Sequence, residues 1–237
     1  MTVRKKGHRL PQPLVLGMDT ERTRLRRHPE RGHDDRDLVH AILDEALVCH
    51  VGFVADGYPT VIPTLHARAG ETLYLHGSPA SRMLQAAPGG EICVTVTLLD
   101  GVVMARSAFN HSMNYRSVVV FGQPRLVTDA EEKKAAFKTL VEHVAPGRWD
   151  DARHPTRSEM TATTVLALSL DEASAKVRSG PPKDDEADLG MDVWAGVVPL
   201  RTVAGEPQPD PDLAPEIETP GYARNYRRDA ATPKDPA

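Results

Sequence analysis

Between Leu73 and Leu84 the chain reads Leu-Tyr-Leu-His-Gly-Ser-Pro-Ala-Ser-Arg-Met-Leu, which sets an imidazole, two hydroxyls and a guanidinium close together. The alternation up to His76 is that of a strand, and Pro79 to Ala86 opens a short helix. Backbone N–H groups at a helix start, the Ser78 and Ser81 hydroxyls and the Arg82 guanidinium together suit a dianionic phosphate. Arg82 by itself would be an ordinary surface arginine; it is the three residues on one turn that point to phosphate. His76 shares a strand face with Tyr74. It is either a strand-end histidine satisfied by its neighbours or a side chain at the rim of a cofactor cavity.

A second dense polar run, Asn110-His111-Ser112-Met113-Asn114-Tyr115-Arg116-Ser117, leads into Val118–Gly122. Tyr115, Ser117, Val119 and Phe121 fall on one face of that strand, so Tyr115 and Ser117 look toward whatever Phe121 packs against. His111 lies in the preceding loop, where it can face a substrate or simply solvent. Trp194, in a proline- and glycine-flanked tail, either plugs an apolar groove or stacks near a cofactor edge. The histidines are scattered, with no His-x-x-x-His helix pair and no Cys-x-x-Cys, so no metal site is expected. Gly-x-Gly-x-x-Gly, Walker-type and Gly-x-Ser-x-Gly patterns are also absent.

The elements that must hold these groups are mostly strands. Asp34-Asp35 read as a cap for an amphipathic helix over 35–47, built on Leu38, Val39, Ile42, Leu43, Ala46 and Leu47. Strands follow at 48–55, 60–67 and 72–76, turned by Asp56-Gly57 and Ala69-Gly70. After Pro88-Gly89-Gly90 comes a strand over 91–99, an Asp100-Gly101 turn, a weaker strand over 102–108, a strong one over 115–122, and 123–128. Asp129–Glu132 and Thr156–Glu159 are capping-box starts for two helices, the first reaching His143. Residues 163–176 read as one long closing strand. Six or seven short strands joined by tight turns predict a mainly β fold, an antiparallel sheet curled into a barrel with peripheral helices.

The flanks differ from this body. Residues 1–33 form a basic, aperiodic arm, 34–180 the barrel domain, 181–204 an extension packing on the barrel or on a partner, and 205–237 a tail with the composition of disorder. The chain has 237 residues, 40% of them hydrophobic, and a net charge of −4. The arm has no interleaved aromatics, so nucleic acid is not an expected partner. No apolar run reaches membrane-spanning length and no secretory core is present. Cys49 and Cys93, both in apolar runs, read as reduced buried thiols and hence a cytoplasmic protein.

The segments Asp56–Pro63, Leu75–Arg82 and Met113–Gly122 together resemble the FMN-binding split-barrel family related to pyridoxamine 5′-phosphate oxidase. Within it the chain is most similar to the flavin-nucleotide-binding branch and to nitroimidazole-resistance reductases. Lys176–Pro182 and Trp194–Val197 extend the likeness, which runs from about Arg31 to Leu200. The resemblance implies a six-stranded antiparallel split β-barrel that forms a homodimer with FMN between the subunits. It implies that Val61, Ile62, Pro63, Thr64 and Leu65 line the flavin ring with backbone groups, and that His76 and Gly77 sit beside it. It also implies that Ser81 and Arg82, next to Ser78, hold the phosphate, and that Ser117 replaces a flavin-contacting glutamine. Trp194 joins this set as a cofactor-edge candidate. Met83 stands where the oxidases have lysine, and no Arg-x-His follows near the C-terminus, so vitamin B6 oxidation is not expected.

The leading expectation is therefore an FMN-dependent oxidoreductase acting on a small molecule, with His76, His111 and Tyr115 as candidate proton donors. The alternatives are a haem-binding split barrel using a histidine such as His76, and a non-catalytic flavin-binding regulatory dimer. Deazaflavin is the alternative flavin-type cofactor.

Overall fold

The computed structural model describes residues 20–33 and 35–227. The first part of the basic arm, Asp34 as half of the expected cap, and residues 228–237 of the tail lie outside the described residues.

The chain begins with a 3-10 turn at Pro29–Arg31 and strand β1 (Gly32–His33), then α1 (Arg36–Glu45). Asp35 caps α1 by accepting from the Asp37 N–H at 2.9 Å. Next come β2 (Val48–Ala55), β3 (Tyr58–Ala69), β4 (Thr72–Gly77), α2 (Arg82–Ala86), β5 (Ile92–Met104), β6 (Ser112–Gly122) and β7 (Arg125–Leu126). Helices α3 (Ala130–Val144), α4 (Arg148–Asp151) and α5 (Arg157–Thr161) precede β8 (Thr164–Ser169), β9 (Glu172–Arg178), β10 (Gly196–Pro199) and α6 (Gly221–Arg224). Thr156 and Glu159 make the reciprocal capping box expected for α5.

The sheet runs β1-β9-β6-β5-β2-β3-β4-β8-β7, antiparallel throughout, with β10 added to β5. It divides into two halves that share β3. Alternate residues of β2, β5, β6 and β9 point inward, and Val51, Val94, Val96, Val118, Val120 and Ala175 meet Val39, Ile42 and Leu43 of α1, which plugs the barrel. A second apolar cluster lies outside, where Ala136 and Phe137 of α3 cover Tyr74, Val165 and Ala167. The mainly β split-barrel class expected from the sequence is the fold observed, with ten strands where six or seven were counted. The additions are the two-residue β1 and β10 from the apolar island around Val197; β7 falls within the expected 123–128, 91–99 and 102–108 merge into β5, and 163–176 divides into β8 and β9.

Three local expectations are corrected. Asp100-Gly101 is not a turn between two strands; β5 runs through it with a register shift between Leu99 and Gly101. Gly101 is needed for close approach instead. A Cβ there would lie 3.0 Å from Val197 Cγ1 and 3.1 Å from the Val198 carbonyl oxygen, on β10. The closing strand over 163–176 is two strands, because the chain changes sheet halves at Leu170-Asp171. Leu170 is buried and its N–H donates to the Glu71 carbonyl at 3.0 Å, which fixes the crossing point. The helix expected from residue 79 starts at 82, since Ser78–Ser81 is spent on a turn closed by Ser81 N–H to Ser78 O at 2.9 Å.

At its described end the arm lies across the sheet edge. Arg22 pairs with Glu91 and Glu172, and its guanidinium sits 5.5 Å from the Phe121 ring centroid. At the other end α6 returns to α4, with the Arg148 guanidinium donating to Tyr222 Oη at 2.6 Å. Among the described residues, no helix is long and apolar enough to cross a membrane.

Candidate functional site

Strand β3 organises the site because it changes partners along its length. From Tyr58 to Leu65 it pairs with β2, and from His66 to Ala69 it pairs with β4. The β3–β4 ladder stops at His66 opposite Leu75, while β4 continues to Gly77 against β8. The two strands therefore stop pairing beyond His66 and Leu75, which leaves a slot in the ladder between Leu65 and His76.

The backbone groups facing that slot follow from the hairpins at either end of β3. A two-residue loop closes on a hydrogen-bonded pair. Asp56-Gly57, with φ of 52° and 80°, is such a loop, so Ala55 and Tyr58 bond to each other. Residues 58, 60, 62 and 64 then direct N–H and C=O toward β2, and 59, 61, 63 and 65 away from it. The Gly70-Glu71 loop closes on Ala69 and Thr72, which aims 69, 67 and 65 toward the β4 side. Both hairpins agree, and Pro59 and Pro63 sit at positions where no N–H is owed to β2. Val61, Pro63 and Leu65 thus present unladdered backbone groups to the slot; Ile62 and Thr64 bond across to β2.

His76 stands at the mouth of the slot. Its ring lies edge-on to Phe137 of α3, with centroids 6.5 Å apart. Its Nδ1 is buried without a hydrogen-bond partner, an arrangement that needs an occupant or a cost. Burial pushes the pKa of this imidazole below its ordinary value, so the ring is neutral at neutral pH.

The following turn is built as the phosphate reading requires, with one qualification. Ser78 Oγ accepts from the Ala80 N–H at 3.2 Å, and Ser81 occupies the N-cap position of α2 without a side-chain cap bond. Arg82 is exposed and makes no ion pair among the described residues. Met83 and Leu84 anchor the turn in the core, and Gly77 lets Leu84 approach, since a Cβ would lie 3.1 Å from Leu84 Cδ1. With α2 only five residues long, its dipole is small; an anion here would be held by the hydroxyls and the guanidinium.

The remaining candidates lie elsewhere on the same chain. Tyr115 and Ser117 are on the outer face of β6, separated from β4 by β5, β2 and β3. Ser117 Oγ donates to the Lys176 carbonyl at 3.3 Å. His111 is exposed, with Nδ1 3.0 Å from the Ser107 carbonyl oxygen, so that nitrogen carries its proton. Trp194 is 66% exposed. Its indole folds over Gly196 at the start of β10, where a Cβ would be 2.8 Å from the ring. One chain therefore places Val61–Leu65, His76, Gly77, Ser78, Ser81 and Arg82 on β3, β4 and the turn into α2, and His111, Tyr115, Ser117 and Trp194 away from them, on β6 and the segments that lead into β6 and β10. Phe137 was not legible as a site residue, because its contact with His76 is made by a distant helix. Among the described residues, no cluster of three or more His, Cys, Asp or Glu is placed to hold a metal ion.

Comparison with known proteins agrees with the fold. A family model described as pyridoxamine 5′-phosphate oxidase matches residues 35–177, from the α1 cap to β9. This chain belongs to the pyridoxamine 5′-phosphate oxidase family. Flavocytochrome Anf3 from Azotobacter vinelandii is 40% identical with a TM-score of 0.85, over 89% of this chain and 98% of that one. An FAD- and haem-binding protein from Mycobacterium smegmatis is 37% identical with a TM-score of 0.79, over 82% of this chain and 96% of that one. A proposed 5-nitroimidazole antibiotic resistance protein from Bacteroides thetaiotaomicron is 25% identical with a TM-score of 0.51, over 62% and 86%. No curated protein matches the chain. The family match ends at Val177, so β10, Trp194 and the tail are additions to the family body in this chain. The two relatives that cover more than four-fifths of the chain extend beyond that body.

Proposed function

We propose that this member of the pyridoxamine 5′-phosphate oxidase family is a flavin-dependent oxidoreductase of a small molecule. The observation that carries the reading is the slot between Leu65 and His76, edged by unladdered backbone and closed by a histidine with an unsatisfied buried nitrogen. The slot suits a planar heterocycle that both donates and accepts at its rim. Val61 and Leu65 offer N–H and C=O groups, Pro63 a carbonyl, and Ser78, Ser81 and Arg82 the grip on a phosphate. A bound flavin supplies hydride and electron transfer to a small acceptor. The chain's own groups bind it, orient it and exclude water. His76, kept neutral by burial, is better suited to a hydrogen bond or ligation than to delivering a proton as imidazolium. Proton supply to a substrate then falls to Tyr115 or His111.

Those two residues come within reach only if a second copy contributes them, and the outer face of the sheet supports a homodimer. Val48, Val54, Val61, Leu99 and Met113 are large, exposed and apolar on that face. FMN and FAD share the riboflavin phosphate that the Ser78–Arg82 turn fits, and the relatives named as binding FAD make FAD the form to test beside FMN. The test is the absorption spectrum of the native protein, with mass spectrometry of the ligand released on denaturation. Flavin bands, and their loss to tenfold or weaker affinity in Arg82→Gln, support the reading; a colourless protein that takes up no flavin refutes it. Size-exclusion with light scattering tests the dimer.

A second reading adds haem to the same protein. It is favoured by the two high-coverage relatives, a flavocytochrome and an FAD- and haem-binding protein, and by the unbonded imidazole nitrogen of His76. A Soret band that is lost in His76→Phe supports it.

A further inference from the structure

Among the described residues, buried and half-buried arginines are as a rule given carboxylates. Arg116 is held by Glu45 and Asp100, and Arg106 by Asp184. Arg178, the last residue of β9, is the exception. It is 7% exposed, and among the described residues its guanidinium makes one hydrogen bond, to Asn114 Oδ1, and no ion pair. Asn114 is fixed in that role because its amide nitrogen donates to the Gly180 carbonyl at 3.1 Å. The guanidinium has five N–H donors, and one neutral acceptor leaves most of them open to a further partner.

The neighbours add positive charge. Arg31, at the end of the 3-10 turn packed beside β9, acts on Arg178 as a like charge; its own acid, Glu30, is 3.7 Å away. Lys176 shares the face of Arg178, two residues back. Tyr115 is directly opposite Arg178 in the β6–β9 ladder, and Ser117 is opposite Lys176. Arg31 and the Tyr115 phenol thus act on Arg178 directly, Lys176 flanks them two residues back along the strand, and among the described residues no carboxylate is paired with Arg178.

We propose that Arg178, with Arg31, Lys176 and the Tyr115 hydroxyl, binds an oxoanion, the phosphate or carboxylate group of a small ligand. A planar guanidinium takes such a group through two parallel N–H bonds, which would satisfy the donors the protein leaves over. Within one chain this site is separate from the Ser78–Arg82 turn, with Arg178 five strand spacings from β4, about 24 Å along the sheet. It does not rest on the flavin reading.

The experiment is calorimetric titration of the full-length protein with inorganic phosphate and, separately, with acetate, at ionic strength held constant with chloride. Saturable binding that persists in an Arg82→Gln background is expected, and the anion that binds there identifies the phosphate or the carboxylate source. Arg178→Gln is expected to weaken binding about 10- to 100-fold, the worth of a charge-assisted pair, with Arg178→Lys between it and wild type. Arg153→Gln, at an exposed arginine paired with Glu159, is expected to leave it unchanged. Should Arg178→Gln fail to fold, Arg31→Gln keeps the buried guanidinium in place and is expected to lose affinity about threefold or more. The proposal is overturned if neither anion binds saturably, if the Arg178 and Arg31 variants bind as wild type, or if Arg82→Gln alone abolishes binding.

Discussion

The imidazole of His76 makes stability depend on pH in a direction the structure fixes. Its native pKa lies below the ordinary 6.5 because the ring is buried. As pH falls, the unfolded chain therefore takes up this proton first, at about 6.5, while the native ring stays neutral. Stability tied to His76 is complete above that range and is lost as pH drops through 6.5 toward the lower native value. One proton gives a slope of at most about 1.4 kcal/mol per pH unit, so the loss between pH 6.5 and 5.5 is at most about 1 kcal/mol. Water at the slot mouth screens part of this. In Tm it amounts to about 2–4 °C for a chain of this size. His76→Phe keeps a ring against Phe137 and removes the titration. Urea unfolding of both proteins at half-unit steps from pH 7.5 to 5.5 isolates the term, since every other group contributes equally to the two curves. The wild-type-minus-variant difference should bend downward below pH 6.5. A flat difference, or one that rises, would show that the ring is not buried as a neutral group and would remove the argument for its role at the slot. A ligand seated on Nδ1 competes with the proton, so its affinity should fall over the same range.

Three further outcomes follow from individual contacts. Arg116→Gln strips two carboxylates of their shared, 4%-exposed partner; it should cost about 2–4 kcal/mol, read as a lower urea midpoint. Gly101→Val drives a side chain into Val197 and the Val198 carbonyl, so β10 should detach at a cost of about 1–3 kcal/mol. Trypsin should then cleave faster at Arg201 while the barrel survives. Thr156→Ala removes one arm of the α5 capping box and should lower stability by about 1 kcal/mol, which thermal unfolding would register.

Much of the fold was legible because local chemistry and global structure agree. The period-two runs at 48–55, 72–76 and 115–122, and the Asp56-Gly57 turn, lie where the strands and the I′ hairpin are. What misled was glycine and alternation taken alone. Asp100-Gly101 has the composition of a turn, but the strand passes through it because β10 crosses closely there, a tertiary demand with no local trace. Residues 163–176 read as one strand when the polar pair Asp171-Glu172 is passed over. Yet the apolar positions change there from Leu166, Leu168 and Leu170 to Ala173 and Ala175, where the chain leaves one half-sheet for the other. A barrel that is split needs such a crossing, and periodicity reports the strands on either side of it equally well.

The site divides along the same line. His76, Gly77, Ser78, Ser81 and Arg82 could be found by reading along the chain, because one strand-to-helix turn holds them all. The slot could not, because it exists through register. The sequence placed the second β3 hairpin at Ala69-Gly70, and the loop is Gly70-Glu71. A slip of one residue reverses which backbone groups point toward β4, and with it whether Val61 and Leu65 or Ile62 and Thr64 edge the slot. Pro63 resolves the choice without the turn. Opposite His50 in the β2 ladder it has no N–H to give, so it is tolerated only where none is owed; its neighbours two residues away must then face the slot as well. A proline in the middle of a long strand, usually a mark against the strand, here states which edge of it is open.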